Sequence, residues 1–161
     1  MLTYHKGDLL KSGCDILCHQ VNCQGVMGSG IAKQIREKYA GVYENYKLFV
    51  KQNGKGDSLG QVFFFATENW QIIANMFSQY NYLPRTECHT DYYAFRSCCN
   101  AIKRFVRRCW DSEKGRQPVI GFPYKIGCGL AGGDWRNISE ILEEEFSDED
   151  WNVQIWEKEN A

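Results

Sequence analysis

The sequence predicts an α/β fold in which a mixed, mostly parallel sheet lies between helices on both faces. Apolar runs of strand length alternate with helical patterns, and several of those runs are apolar without interruption, as in strands buried on both faces. Two glycine clusters each lie between a predicted strand and a predicted helix. A chain of 161 residues with 43% apolar residues is long enough for one sizeable core. We therefore expect residues 1–161 to form a single domain.

The first half of the chain combines predicted strands with one helical region. The strands are LTYHK at 2–6, DILCHQV at 15–21, QVFFFA at 61–66 and QIIANMF at 71–77. The last two are joined by a short polar turn, which predicts a hairpin. A helical pattern runs from Ile31 to about Gln52, and it is expected to break into two helices near Gly41 because glycine is a weak helix former.

The second half begins with a long amphipathic helix from Asp91 to Trp110, for which Thr90 is the expected N-cap. Its apolar residues at helical spacing are Phe95, Cys98, Cys99, Ile102, Phe105, Val106 and Cys109. A strand PVIGFPY at 118–124, a helix from about Arg136 to Phe146 and a strand WNVQIW at 151–156 follow. The cysteines and aromatic residues of the long helix are expected to pack in the core rather than to take part in catalysis.

Composition narrows the class of partner. The formal net charge of −1 provides no basic surface of the kind that nucleic-acid binding requires, so no nucleic-acid partner is expected. The longest apolar runs are of strand length, which predicts no membrane segment. We expect a monomer.

Eight cysteines would suit a disulfide framework, but the first ten residues, MLTYHKGDLL, lack the features of a signal peptide. The thiols are therefore expected to be reduced and the protein cytoplasmic. No C-x-x-C pair occurs, so neither a metal site nor a cofactor is expected.

The glycine clusters indicate an anion-binding site. Gly25, Gly28 and Gly30 are spaced G-x-x-G-x-G, and the second cluster is KIGCGLAGGDW at 125–135. Backbone N–H groups of such loops, together with a helix N-terminus, can hold a phosphate. The dinucleotide fingerprint has the opposite spacing and follows the first strand, and neither cluster ends in the G-K-[ST] of a P-loop. In folds of this class, ligands bind at the carboxyl ends of the strands, where both clusters fall.

Three segments resemble the signature segments of macro domains, which are ADP-ribose-binding modules: KGDLL at 6–10, HQVNCQGVMGSGIAKQI at 19–35 and PYKIGCGLAGGDW at 123–135. The resemblance covers nearly the whole chain and implies a three-layer α/β/α sandwich. The sequence is most similar to the branch that contains ADP-ribose 1''-phosphate phosphatases and terminal ADP-ribose glutamate hydrolases.

The resemblance assigns the adenine end of the ligand to two parts of the chain. Asp8 would accept a hydrogen bond from the adenine amino group, with the backbone N–H of Leu9 beside it. Trp156 would stack on the base. The alternatives are that Asp8 caps a helical turn over 9–11 and that Trp156 is a partly buried core residue.

The rest of the ligand is assigned to Asn22 and the glycine loops. Asn22 would bind the distal ribose, although an asparagine at this point is also a common turn former. By resemblance, the diphosphate is enclosed from one side by Gly28, Ser29, Gly30 and Ile31 and from the other by Gly127, Cys128, Gly129, Leu130, Ala131 and Gly132.

The catalytic candidates are Asn22, His19 and Asp134. Strict alternation along the strand would point His19 and Asn22 to opposite faces, and a strand histidine is commonly a core residue. Asp134 is suited to activating a water or to capping the next helix. The Cys128 thiol lies near a helix N-terminus that would lower its pKa, but it lacks the C-x5-R pattern of cysteine phosphatases, so we interpret it as a small loop residue.

The expected activity is hydrolysis of ADP-ribose 1''-phosphate to ADP-ribose and phosphate. The alternatives are removal of ADP-ribose from protein or nucleic acid, and binding of ADP-ribose-like nucleotides without turnover. By resemblance, glycohydrolases of this family use a lysine after the fourth strand and an aspartate after GCGL. Here the aligned residues are Gln79 and Ala131, which predicts little or no glycohydrolase activity.

Overall fold

The computed structural model describes residues 2–110, 112–148 and 150–159. The described residues form a six-stranded sheet with helices on both faces, which confirms the predicted α/β/α sandwich. The strands are β1 (Leu2–Lys6), β2 (Ile16–Asn22), β3 (Val62–Ala66), β4 (Ile72–Gln79), β5 (Val119–Pro123) and β6 (Asn152–Glu157). The helices are α1 (Gly30–Lys38), α2 (Val42–Asn53), α3 (Lys55–Ser58), α4 (Tyr92–Cys109) and α5 (Trp135–Glu145). Two 3-10 turns, Leu9–Lys11 and Ser112–Lys114, complete the described elements.

The strand order is β1-β6-β5-β2-β4-β3, and only the β3–β4 pair is antiparallel among the described pairs. The predicted hairpin is therefore confirmed. The pairing of β2 with β5 is confined to Ile16 with Ile120 and Leu17 with Gly121. Beyond Leu17 these two central strands have no further register pairs, and the space between their carboxyl ends opens into a cleft.

The apolar patterns of the sequence correspond to the observed core. Helices α4 and α5 cover one face of the sheet, and α1 and α2 cover the other. Every residue of β2 is buried. The expected break at Gly41 is confirmed, because this residue has a φ of 89° between α1 and α2. Helix α4 buries most of its predicted apolar residues, although Cys109 is exposed.

One predicted cap is wrong. The N-cap of α4 is Asp91, whose carboxylate accepts a hydrogen bond from the Ala94 N–H at 2.9 Å. Thr90 is buried instead, and its hydroxyl donates to the carbonyl of Gly127 at 2.6 Å. A charged carboxylate at the following position satisfies the helix donors, so the threonine is free to connect α4 to the second glycine loop.

Among the described residues, no helix is both long enough and apolar enough to cross a membrane. The same residues contain no group of three or more histidine, cysteine, aspartate or glutamate side chains arranged to hold a metal ion. All eight cysteines are free.

Candidate functional site

A cleft of about 400 Å³ opens at the carboxyl ends of β2, β4 and β5. Its position follows from the strand order, since β2 is connected towards β4 on one side and pairs with β5 on the other. The lining residues are Gln20, Val21, Asn22, Val26, Gly28, Ser29, Gly30, Ile31, Ala32, Gln79, Tyr82, Arg85, Pro123, Tyr124, Lys125, Ile126, Gly127, Gly129, Leu130 and Ala131.

The structure brings both predicted loops to this cleft. Of the residues assigned to the first loop, all four from Gly28 to Ile31 line it. In the second loop, Gly127, Gly129, Leu130 and Ala131 line it, whereas Cys128 and Gly132 do not. The two glycine clusters of the sequence therefore lie on opposite sides of one cleft.

The first loop leads directly into the N-terminus of α1. Ser29 is the N-cap residue, but its side chain makes no capping hydrogen bond, and the first turn contains no acidic residue. The N–H groups of Gly30, Ile31 and Ala32 precede the first helical hydrogen bond, which the Lys33 N–H makes to the Ser29 carbonyl. Within the described parts of the chain these three donors have no partner, so this helix end presents free N–H groups and positive dipole charge to the cleft.

The second loop is folded on itself. Its backbone donates from Cys128 to Lys125, from Gly132 to Gly129 and from Gly133 to Gly127, at 2.8–3.0 Å. Gly127 has a φ of 74°, and a Cβ there would lie 2.8 Å from Oε1 of Gln20 and 3.0 Å from Oγ1 of Thr90. Only glycine fits between these two side chains without a shift of the surroundings.

A buried amide and hydroxyl network forms the floor of the cleft. The Gln20 amide donates to Oε1 of Gln79 at 2.9 Å and to the Thr90 hydroxyl at 3.0 Å, and its Oε1 accepts from Ser78 at 2.6 Å. The Gln79 amide donates in turn to the Asn81 carbonyl at 2.8 Å. Gln20 was not identified from the sequence, because nothing in the sequence distinguishes a glutamine that lines a cleft from one that is simply buried within a strand.

Asn22 lines the cleft and also organises the first loop. Its Nδ2 donates to the Val26 carbonyl at 2.7 Å, and its Oδ1 accepts from the Gln24 N–H at 2.9 Å. The buried Tyr46 hydroxyl donates to the Asn22 carbonyl at 2.5 Å. The turn-forming interpretation of Asn22 is thus correct, and the second amide hydrogen has no partner among the described residues.

His19 is not in the cleft. Its side chain is fully buried, and Nε2 lies 2.6 Å from Oδ1 of Asn75. Burial lowers the pKa of His19 to about 4, so the imidazole is neutral at pH 7. A register shift between Val21 and Asn22 turns the strand end, but it does not bring His19 to the cleft. The core interpretation of His19 replaces the catalytic one.

Asp134 and Cys128 also lie outside the cleft lining. The Asp134 carboxylate accepts from the Arg136 N–H at 2.9 Å and caps α5, which is the capping role that the sequence also allowed. Burial, and then the Asp134 charge, raises the pKa of Cys128 to about 11, and the expected lowering is wrong. The thiol is protonated at pH 7 and is a poor nucleophile.

Asp8, Leu9 and Trp156 lie together beside the cleft, at the β1–β6 edge of the sheet. The Asp8 carboxylate accepts from the Leu10 N–H at 2.9 Å, and Leu9 is buried, which confirms the capped turn. Gly7 packs on the Trp156 ring, whose centroid lies 4.9 Å from that of the stacked His5 ring. One face of Trp156 is therefore already covered by the protein.

Two cations line the cleft that the sequence did not single out, Arg85 and Lys125. They are the charged members of the lining, and no carboxylate belongs to the lining formed by the described residues. Lys125 has a φ of 59°, an uncommon conformation for a residue with a side chain. A usable signal was their position after the carboxyl ends of β4 and β5.

Comparison with known proteins places this geometry in a family. The chain is 34% identical over 89 residues to a DNA ADP-ribosyl glycohydrolase of Mycobacterium tuberculosis, an alignment that covers 47% of this chain and 25% of that protein. It is 40% identical over 60 residues to an ADP-ribose 1''-phosphate phosphatase of Scheffersomyces stipitis, covering 34% of this chain and 35% of the relative. The chain thus aligns with about a quarter to a third of the length of these relatives.

A solved structure of a protein of unknown function from Bacteroides thetaiotaomicron has the same fold, with a TM-score of 0.81, 28% identity and 98% of each chain covered. The family model described as Macro domain matches residues 18–142, which include most of β2, both glycine loops and most of α5. The cleft at the carboxyl ends of β2 and β5 is therefore that of a macro domain, and this chain belongs to the macro domain family.

Proposed function

We propose that the cleft binds ADP-ribose through its diphosphate and that the protein hydrolyses ADP-ribose 1''-phosphate to ADP-ribose and phosphate. The observation that carries the proposal is the charge of the cleft. Arg85 and Lys125 are the charged lining residues, the uncapped N-terminus of α1 opens into the same space, and no carboxylate is present in the described lining. Such a site favours a ligand with several negative charges.

In the proposed pose, the ligand lies along the carboxyl edge of the sheet. The adenine is at the β1–β6 end, beside Asp8 and Trp156, and the diphosphate is at the N–H groups of Gly30 to Ala32. The free amide hydrogen of Asn22 faces the distal ribose. Asp8 keeps one carboxylate oxygen for the adenine amino group, since the cap uses the other.

The proposed reaction transfers the phosphoryl group to water. The water oxygen attacks phosphorus, the bond between phosphorus and the anomeric oxygen breaks, and that oxygen leaves with a proton as the hydroxyl of ADP-ribose. Cations and backbone donors stabilise the charge that spreads over the phosphoryl oxygens. The contribution of this cleft is therefore electrostatic stabilisation and positioning.

Removal of ADP-ribose from protein or DNA is the second candidate, because one of the relatives is a DNA ADP-ribosyl glycohydrolase. The lysine and the aspartate expected for that reaction are both replaced in the described cleft. Gln79, at the position expected for the lysine, holds Gln20 and Asn81 with its amide, and Ala131 has no carboxylate. An amide cannot form a Schiff base with a sugar.

The test compares three substrates with one preparation of protein. Phosphate release from ADP-ribose 1''-phosphate is measured beside ADP-ribose release from a modified glutamate peptide and from modified thymidine DNA, with borohydride trapping as a further readout. We expect phosphate release alone and no trapped adduct. Release of ADP-ribose from peptide or DNA would establish the second candidate, and ADP-ribose binding without any turnover would identify a binding module.

A further inference from the structure

We propose that Arg85 is the specificity-determining residue of the cleft, which recognises a phosphate at the distal ribose. The inference rests on the proposed function and deepens it. It assigns the preferred substrates to one chemical class, ADP-ribose with a doubly charged terminal phosphate, and it predicts discrimination against terminal hydroxyl groups and uncharged esters.

The order of the strands places Arg85 at the distal end of the ligand. Asp8 and Trp156 lie at the β1–β6 edge, whereas Arg85 follows β4, on the far side of β5 and β2. Asn22 and Gln79 are register partners at the ends of β2 and β4. A ligand with its adenine at the β1–β6 edge and its distal ribose at Asn22 therefore directs its terminal group towards the loop that carries Arg85.

The loop that carries Arg85 is attached to both walls of the cleft. Near its start, the Tyr80 carbonyl accepts hydrogen bonds from the Cys23 N–H and from Nε2 of Gln24, both at 3.0 Å. At its end, the His89 N–H donates to the Ala131 carbonyl at 2.7 Å. Between these points the loop closes on itself through Nε2 of His89, 2.6 Å from the Pro84 carbonyl. The loop that presents Arg85 to the cleft is thus anchored by hydrogen bonds near both of its ends, which limits the freedom that binding must remove.

The charge of Arg85 is available. Within the described part of the chain, the guanidinium makes no hydrogen bond or ion pair, and Arg85 lines the cleft. The diphosphate is already provided for by the N-terminus of α1 and by Lys125, which follows β5 in the middle of the cleft. A planar guanidinium binds a phosphate through two parallel hydrogen bonds, and a neutral hydroxyl offers no such partner.

The test measures affinity for ADP-ribose and for ADP-ribose 1''-phosphate by stopped-flow displacement of a fluorescent ADP-ribose, which reports binding before hydrolysis. Arg85→Gln should weaken binding of the phosphate ligand about 10-fold or more, the usual scale for one charged hydrogen-bonding partner, and leave ADP-ribose within about twofold. Arg85→Lys should restore part of the preference, because it keeps the charge and loses the fork.

Two variants separate this role from general electrostatics. Lys125→Gln should weaken both ligands by similar factors, because it removes charge beside the diphosphate. Lys51→Gln, on the exposed surface of α2 and outside the cleft lining, should change neither.

The outcomes distinguish this inference from the function on which it rests. If the native protein binds neither ligand, the proposed function fails. If it prefers the phosphate ligand and Arg85→Gln keeps that preference, the inference is wrong while the proposed function stands. Equal losses for both ligands in Arg85→Gln would make Arg85 a diphosphate contact and would also overturn the inference.

Discussion

The two glycine loops differ in how far the protein satisfies its own polar groups. The loop after β5 is closed by internal backbone hydrogen bonds, and the helix that follows it is capped by Asp134. The loop after β2 leads into α1, where Ser29 makes no capping hydrogen bond and Gly28, Ser29 and Gly30 are exposed. The loop after β5 thus satisfies its own hydrogen-bonding groups, whereas the loop after β2 leaves the first N–H groups of α1 without a partner among the described residues. Similar glycine clusters can therefore shape the wall of a cleft in one loop and supply hydrogen-bond donors for a ligand in another.

The strands that carry the two loops also differ, and acid should reveal the difference. β2 contains the buried His19, whereas β5 contains no titratable side chain. The pKa of His19 falls from an ordinary value of 6.5 to about 4 on burial, so the unfolded chain binds the proton first. His19 should therefore cost stability as pH falls from 6.5 towards 4, by about 3 kcal/mol in total.

Urea unfolding at pH 7 and pH 4.5 measures this effect. His19→Gln, which keeps a donor for Asn75, should reduce the loss of stability on acidification, and His89→Gln in the exposed loop serves as the control. An unchanged pH dependence in His19→Gln would assign the acid sensitivity to other groups.

Gly127→Ala should disturb the loop after β5, which is closed by its own hydrogen bonds. The added Cβ meets Gln20 and Thr90 at a residue with positive φ, so we expect about 2 to 3 kcal/mol of lost stability together with weaker ADP-ribose binding. Gly28→Ala is the matched change in the other loop, where a Cβ meets only a Val26 methyl at 3.6 Å. Thermal unfolding should show little change for Gly28→Ala, while calorimetry shows reduced ADP-ribose affinity. Equal destabilisation by the two changes would contradict the distinction between the loops.

Ser29→Asp should move stability and binding in opposite directions. A carboxylate at the uncapped end of α1 accepts its N–H groups and should stabilise the protein by a few tenths to about 1 kcal/mol. The same carboxylate repels the diphosphate, so ADP-ribose affinity should fall about 10-fold, a scale typical of charged hydrogen-bonding partners. If affinity is unchanged, the diphosphate does not use this helix end.

Asp134→Ala is expected to have the smallest effect of these changes. It should alter stability alone, whereas Ser29→Asp alters both stability and affinity. Loss of the cap of α5 should cost about 1 kcal/mol of stability. Because the carboxylate lies outside the cleft lining, ADP-ribose affinity and turnover should stay near the native values. A large loss of turnover with native affinity would restore Asp134 as a catalytic residue.

These differences explain what the sequence could and could not predict. The alternation of predicted strands with predicted helices, the hairpin and the break at Gly41 are local signals, and the structure confirms them. Glycine spacing located both walls, but it could not tell a capped helix from an uncapped one, because that depends on whether the side chain of Ser29 or of Asp134 reaches the helix N–H groups. Arg85 has no periodic signal in its loop. The stacking of His5 on Trp156 depends on pairing between the two ends of the chain, which no local pattern shows.

The central claim, that α1 supplies the anion site and α5 does not, is tested most directly by a backbone amide NMR titration with ADP-ribose. The largest shifts should occur at the N–H groups of Gly30, Ile31 and Ala32, and the Arg136 N–H, which Asp134 already holds, should not move. Saturable shifts centred on Arg136 and its neighbours, with the α1 amides unchanged, would contradict the account.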